Sequence, residues 1–109
     1  MAGHFTVEVS LTPIEEDAKK GQASAVTTVT SYGGFKGSVA LVFTCESTDA
    51  GDDPDLSKYS ESVFVDANVP GESTVTITGN DGQGVEFTAD GTHPTGGHDL
   101  DTKTGNLGP

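Results

Sequence analysis

The sequence is poor in positive charge. Its five Lys and Arg residues stand against 17 Asp and Glu residues, which gives a formal net charge of −12 at pH 7. Nucleic acids and anionic membranes both recruit clustered Lys and Arg side chains. The composition therefore argues against nucleic acid and membrane surfaces as partners. An acidic surface instead favours solubility and makes copies of the chain repel one another at low salt.

Cysteine and tryptophan are equally scarce. Cys45 is the only cysteine, so no internal disulfide can form, and we interpret it as a small, half-buried apolar side chain. The chain has no tryptophan, which leaves little aromatic surface for a walled catalytic cleft or for stacking on a sugar. The candidate residues for sugar binding are therefore limited to Tyr32 and Tyr59, which lie in predicted turns.

No apolar run is long enough to span a membrane, and Met1 to Leu11 lack the basic start and continuous apolar segment of a signal peptide. The sequence therefore predicts a protein that stays inside the cell that makes it or leaves that cell by lysis. A chain whose leader had been trimmed would look the same, so an extracellular or cell-surface location is the alternative.

What the chain has in quantity is alternation of apolar and polar residues. The segment Gly33 to Phe43 begins with a glycine-rich turn and continues with Val39, Leu41 and Phe43 at period two. Side chains at period two share one face of a strand, so this segment is predicted as a central strand with one face in a core. The predicted core residues are Phe35, Val39, Leu41, Phe43, Val75, Ile77, Val85 and Phe87.

Similar short runs recur along the 109 residues and are separated by turn signals such as Gly79-Asn80-Asp81-Gly82. Six or seven such strands in a chain of single-domain length predict an all-β sandwich. Within this pattern Val63, Phe64 and Val65 are predicted as a short buried run. The segment Ile14 to Lys20 is predicted as a kinked edge or a single helical turn.

The alternation stops after Ala89. Residues 1–91 are therefore assigned to the sandwich, and residues 92–109 to a glycine-rich, polar C-terminal tail or an atypical last strand. A last strand without an apolar face would leave a neighbouring strand edge poorly covered, and unpaired edges recruit other strands. We therefore expect residues 92–109, the first strand (Phe5 to Leu11), or both, to contact another subunit. The alternative is a tail that is simply loose.

Two segments carry a family resemblance, Gly-Gly-Phe-Lys-Gly-Ser-Val-Ala-Leu (33–41) and Pro-Gly-Glu-Ser-Thr-Val-Thr-Ile (70–77). From Phe5 to Ala89 the chain resembles the bacterial and archaeal immunoglobulin-like modules of cell-surface proteins, glycosidase appendages and some bacteriophage virion proteins. The resemblance implies an immunoglobulin-like Greek-key sandwich of about seven short strands, usually without enzymatic activity.

The strongest local chemistry is an acidic loop that contains Asp49, Asp52, Asp53 and Asp55. Hard cations such as Ca²⁺ take six to eight oxygen ligands, and carboxylates on a flexible loop can supply several of them. The spacing does not match the EF-hand loop, so calcium binding by this loop is one hypothesis and a solvated loop is the alternative. Asp99 and Asp101, with His98 beside them, are candidates for further ligands.

No set of residues in the sequence matches a catalytic motif. The three histidines have no cysteine partners, and no motif places a nucleophile next to His98 and Asp99. We therefore predict that the chain is not an enzyme and needs no cofactor beyond the hypothetical calcium ion.

Two classes of function remain open. The first is a structural module that contacts other protein subunits, most simply a bacteriophage capsid-decoration or tail protein located in the virion. This class fits a chain that starts at Met1, lacks a leader and is short enough to be a whole gene product. The second is an accessory spacer or carbohydrate-binding module of an extracellular enzyme or adhesin.

Overall fold

The computed structural model describes residues 3–14, 21–49, 51–95 and 97–109. All regular structure in these ranges is β-strand, and it divides into eight strands. They are β1 (His4–Pro13), β2 (Gln22–Tyr32), β3 (Gly37–Ser47), β4 (Asp55–Leu56), β5 (Ser60–Val65), β6 (Gly71–Thr78), β7 (Gly84–His93) and β8 (Gly97–Asn106). Residues 15–20, most of the predicted kinked edge or single turn, lie outside the described ranges.

The strands form two antiparallel four-stranded sheets. Sheet I has the order β1-β2-β6-β4, and sheet II has the order β5-β3-β7-β8. The β1–β2 and β7–β8 connections stay within a sheet, whereas each connection from β2 to β7 crosses between the sheets. The predicted all-β sandwich is confirmed. It has eight strands rather than about seven because the two-residue β4 lies within the acidic segment that was predicted to be only a connection.

The core lies between the sheets and follows the period-two pattern of the sequence. All eight predicted core residues are buried, and the Phe43 and Phe87 rings stack 5.8 Å apart at its centre. The central position of β3 is also confirmed, since β3 pairs with β5 on one side and β7 on the other. The chain enters β3 through Gly33 and Gly34, whose φ angles of 64° and 80° favour glycine.

One core prediction is wrong. Val63 and Val65 are buried, but Phe64 between them is 55% exposed. The three residues lie on β5, where neighbouring side chains point to opposite faces of the sheet, so a continuous apolar run cannot all face the core. Phe64 lies on the outer face of sheet II.

The C-terminal segment also differs from expectation. β8 pairs with β7 along ten residues, from Gly97 to Asn106. The backbone N–H of Val7 in β1 donates to Asp99 Oδ2 at 2.7 Å, and the N–H of Val9 donates to Asp101 Oδ2 at 2.8 Å. The expectation of a poorly covered edge beside the last strand is therefore wrong, because β8 pairs with the whole of β7, and Asp99 and Asp101 in addition cap two N–H groups of β1. Contact of residues 92–109 or of Phe5 to Leu11 with another subunit stays a prediction.

Leu107 completes the closure. It is 1% exposed, and its N–H donates to the Gln83 carbonyl oxygen at 2.8 Å. The Gly108 N–H donates to the Gln22 carbonyl oxygen, and the Gly108 carbonyl oxygen accepts from the N–H groups of Gly21 and Gly82. The C-terminal residues thus join both sheets at one end of the molecule.

Candidate functional site

The acidic loop between β3 and β4 is tied to its neighbours by its own carboxylates. Asp49 Oδ2 accepts a hydrogen bond from the Gly84 N–H at 2.7 Å, and Asp53 Oδ1 accepts one from the Ser47 N–H at 3.0 Å. Each bond satisfies a backbone donor at a strand end, at the start of β7 for Asp49 and at the end of β3 for Asp53. Two of the four loop carboxylates therefore hold the loop against these strands.

Gln83 anchors the same loop, and sequence inspection missed it. Its side chain is buried, with Nε2 donating to the Asp52 carbonyl oxygen and to Ser47 Oγ, both at 2.9 Å. Its Oε1 accepts from the Asn80 N–H at 2.9 Å. Its side chain thus bonds to the acidic loop, to the end of β3 and to the turn between β6 and β7, and it holds these three segments together at this end of the sandwich. Its place between two glycines in a turn carries no sequence signal for that role.

The predicted ligands are separated by the fold. Asp49 and Asp53 hold the loop, whereas Asp99 and Asp101 lie against β1. Within the described ranges, no group of three or more His, Cys, Asp or Glu side chains converges as a metal site requires. Calcium binding at Asp49, Asp52, Asp53 and Asp55 stays a prediction.

His98 pairs across the sheet rather than with its sequence neighbour Asp99. Its Nε2 lies 2.6 Å from Asp90 Oδ1 on β7, with both side chains on the outer face of sheet II. The side chains are 55% and 39% exposed, so water weakens their interaction. The His98–Asp90 pair is therefore a solvent-exposed contact on the surface of sheet II.

An open pocket of about 420 Å³ lies beside the acidic loop, lined by Phe43, Thr44, Cys45, Glu46, Asp53, Pro54, Asp55 and Tyr59. Burial raises the pKa of the Cys45 thiol to about 11, and the negative charges of Asp53, Glu46 and Glu86 add to the effect. A reactive cysteine needs a lowered pKa, because the thiolate is the nucleophile. Cys45 is therefore protonated at neutral pH and packs as a small apolar group.

A polar bridge joins the two sheets on the side away from β8. Ser73 Oγ of β6 donates to Glu61 Oε1 of β5, and Lys58 Nζ lies 3.1 Å from the same oxygen. The Ser73 hydrogen bond, followed by the bond from Lys58, lowers the pKa of Glu61. Glu61 thus remains charged at the rim between β5 and β6.

The outer face of sheet II exposes large apolar side chains in mid-strand. Val42 on β3 is 52% exposed, Phe64 on β5 is 55% exposed and Leu100 on β8 is 47% exposed. The strand register places Val42 and Leu100 on either side of Asp90 and pairs Phe64 with Ser38. Ala40 pairs with Ser62, so it lies diagonally next to Phe64, which is two residues further along β5. Val42 follows Ala40 on the same face of β3, and the three side chains form a diagonal apolar row.

The outer face of sheet I has a different composition. Its outward positions are occupied mainly by Thr and Ser, and Val26 is the one aliphatic side chain in mid-strand, where it is only partly exposed. Tyr32, at the end of β2, stacks on His4 with ring centroids 5.4 Å apart. Tyr59 precedes β5, and its hydroxyl accepts a bond from the Leu56 N–H. The two tyrosines proposed for sugar binding therefore belong to different parts of the sandwich.

No helix in the described part of the chain has the length and hydropathy needed to cross a membrane. Comparison of the chain with protein-family models, curated protein sequences and solved structures found no match.

Proposed function

We propose that the chain is a non-catalytic structural module that contacts other protein subunits, of the kind that decorates a bacteriophage capsid or tail. The observation that carries the proposal is the difference between the two outer faces. Val42, Phe64 and Leu100 are exposed on sheet II, whereas sheet I presents mainly Thr and Ser. Exposed apolar residues grouped on one face are typical of surfaces that bind another protein.

The energetics support contact through sheet II. Fully burying a Val, Leu or Phe side chain contributes about 1.5–3 kcal/mol, and three such groups lie on this face. Glu46, Glu86 and Asp90 share the outer face and are acidic, with His98 beside Asp90. Because a second copy would bring the same charges, a different subunit with basic residues is the better partner.

The chemistry of the polar side chains supports the non-catalytic part of the proposal. The Cys45 thiol is held protonated, and the His98–Asp90 pair is exposed on a sheet face rather than set in a cleft. Asp49, Asp53, Asp99 and Asp101 are occupied with backbone N–H groups. These four carboxylates thus have a structural role in holding the backbone.

The test uses particles purified from a lysate of cells that carry the gene. Quantitative mass spectrometry should find the protein in the particles at a fixed copy number. The Val42→Lys variant should be depleted from the particles at least about tenfold, since about 1.4 kcal/mol of lost contact energy suffices for this. Val26→Lys places the same charge on the central strand of sheet I and should leave incorporation unchanged. Absence of the wild-type protein from the particles would refute the virion proposal.

A second candidate is a carbohydrate-binding or spacer module of an extracellular protein. The observation that favours it is the exposed Tyr32 ring stacked on His4, since aromatic faces bind sugars by stacking. Binding to a glycan array that is lost in Tyr32→Ala but kept in Val42→Lys would favour this candidate over the first.

A further inference from the structure

β5 is an edge strand with one free side. The Phe43 N–H of β3 donates to the Tyr59 carbonyl oxygen at 2.9 Å, so the odd-numbered residues of this segment point their backbone groups toward β3. Backbone groups alternate in direction along a strand. The N–H and C=O groups of Ser60, Ser62 and Phe64 therefore point away from the sheet, and no described strand pairs with them.

This edge carries one of the usual protections and lacks the others. Natural edge strands are often blocked by proline, by lysine, by a bulge or by an inward-pointing charge, and on β5 only the last is present, at Glu61. The outward side chains of β5 are Ser60, Ser62 and Phe64, and its register with β3 continues over six residue pairs without interruption. On the opposite side of the sandwich, by contrast, the N–H groups of Val7 and Val9 are capped by carboxylates.

The side chains of β5 indicate what kind of strand would fit beside it. Phe64 lies on the outer face and offers an apolar neighbour to a strand added at this edge. Glu61 points toward the rim between the sheets, is charged, and is still partly exposed beside Lys58 and Ser73. An added strand thus meets an apolar side chain on one face and a carboxylate on the other.

We propose that an extended segment of another protein subunit, with basic and apolar residues in alternation, adds to sheet II as a fifth strand beside β5. Its apolar side chains pack on Phe64 at the outer face, and its basic side chains approach Glu61 at the rim. This inference rests on the proposed function as a subunit-contacting module and names the edge and the chemistry of the contact. A net charge of −12 favours a basic strand over a second copy of this chain.

The probe is a fluorescent ten-residue peptide of alternating lysine and valine, and its control is a peptide of the same composition with all lysines placed first. Fluorescence anisotropy at 0.15 M salt gives the two dissociation constants. Hydrogen exchange followed by NMR gives the site of binding. We expect the alternating peptide to bind at least about tenfold more tightly. It should slow amide exchange at Ser62 and Phe64, because these N–H groups become hydrogen-bonded.

Two matched proline variants test the backbone contact. Ser62→Pro removes an N–H that points to the free side of β5 and should weaken binding of the alternating peptide about tenfold or more. Thr74→Pro removes a comparable N–H from β6. There Thr76 N–H points away from β2 toward Ser57 Oγ, so Thr74 N–H, two residues earlier, also points away from β2. This variant should bind the alternating peptide as the wild type does. If Ser62→Pro fails to fold, Phe64→Lys replaces it and should weaken binding through charge repulsion.

Equal binding of the two peptides, equal loss in both proline variants, or exchange protection confined to residues outside β5 would each overturn the inference. These outcomes leave the proposed function standing if Val42→Lys still lowers incorporation into particles. A protein that binds the alternating peptide at β5 but is absent from the particles supports the edge contact and refutes the virion proposal.

Discussion

The two lateral sides of the sandwich differ in how far they are closed, and we call the β1–β8 side the closed side and the β5–β6 side the open side. On one side β1 and β8 face each other, and Asp99 and Asp101 cap the N–H groups of Val7 and Val9. On the other side β4 covers only the end of β6, and a bridge from Glu61 to Ser73 spans the gap between β5 and β6. A strand edge can therefore be satisfied by charged side chains of the opposite sheet as well as by a neighbouring strand.

The difference also shows how a strand with no apolar face can belong to a sandwich. Asp99, Asp101 and Lys103 occupy inward positions of β8, and Lys103 Nζ lies 3.6 Å from Asp101 Oδ2. These side chains reach the rim, where water is close and β1 offers donors, so their charge is not buried without a partner. On the β5 side the comparable backbone groups have no such partners among the described residues, and that side is where a partner strand is proposed.

The largest effect is expected from Leu107→Ala, at the end of the closed side. Leu107 is fully buried, so the free energy of unfolding should fall by about 2–5 kcal/mol through lost burial and the resulting cavity. Leu100→Ala is the matched control, because Leu100 is 47% exposed on β8 and should change stability by about 0.5 kcal/mol or less. Urea denaturation measures both. Equal losses would mean that Leu107 does not close the core.

The next largest effect on stability is expected from Asp99→Ala. It leaves the Val7 N–H without its charged acceptor, which should lower the free energy of unfolding by about 1–3 kcal/mol. Asp99→Asn keeps an acceptor oxygen and should lose less. Asp90→Ala removes an exposed carboxylate from neighbouring β7 and serves as the control in the same denaturation experiment. If Asp99→Ala matched Asp90→Ala, the carboxylate caps would not stabilise the closed side.

Thr27 lies on β2, between the two sides of the sandwich. Replacing it tests how much an unpaired buried hydroxyl lowers stability. Its hydroxyl is buried and has no hydrogen-bond partner, unlike the capping carboxylates at the rim. Thr27→Val keeps the shape and removes the unpaired hydroxyl, so it should raise the free energy of unfolding by about 1 kcal/mol. A variant less stable than the wild type in calorimetry would show that the hydroxyl is satisfied in solution.

The smallest effect concerns pH on the open side. The Ser73 hydrogen bond lowers the pKa of Glu61 below its ordinary value of 4.5, so it stabilises the folded state above that pH. This contribution should be lost as the pH falls through the lowered pKa. Ser73→Ala should raise the pKa of Glu61. The difference in the free energy of unfolding between this variant and the wild type should become smaller as the pH falls through the lowered pKa. NMR titration of the Glu61 carboxyl carbon measures the shift. An unchanged pKa would contradict the bridge.

The sequence by itself determined the sandwich and most of its core. Val39, Leu41 and Phe43 could be assigned inward because period-two alternation reports which face of a strand meets the core. The glycine pair before β3 could be assigned to a turn for a similarly local reason, because glycine readily adopts positive φ angles, and both residues have them.

Only the tertiary structure decided the roles that depend on the neighbouring sheet. Asp99 and Asp101 look like solvated or metal-binding carboxylates until β1 brings its N–H groups beside them. Leu107 and Leu100 are both isolated leucines in a polar segment, yet one is buried and the other lies on the outer face. Phe64 is exposed although its neighbours are apolar, because the register of β5 on β3 turns it outward. Long-range contacts between sheets set these outcomes, and local residue patterns do not encode which strand will lie opposite.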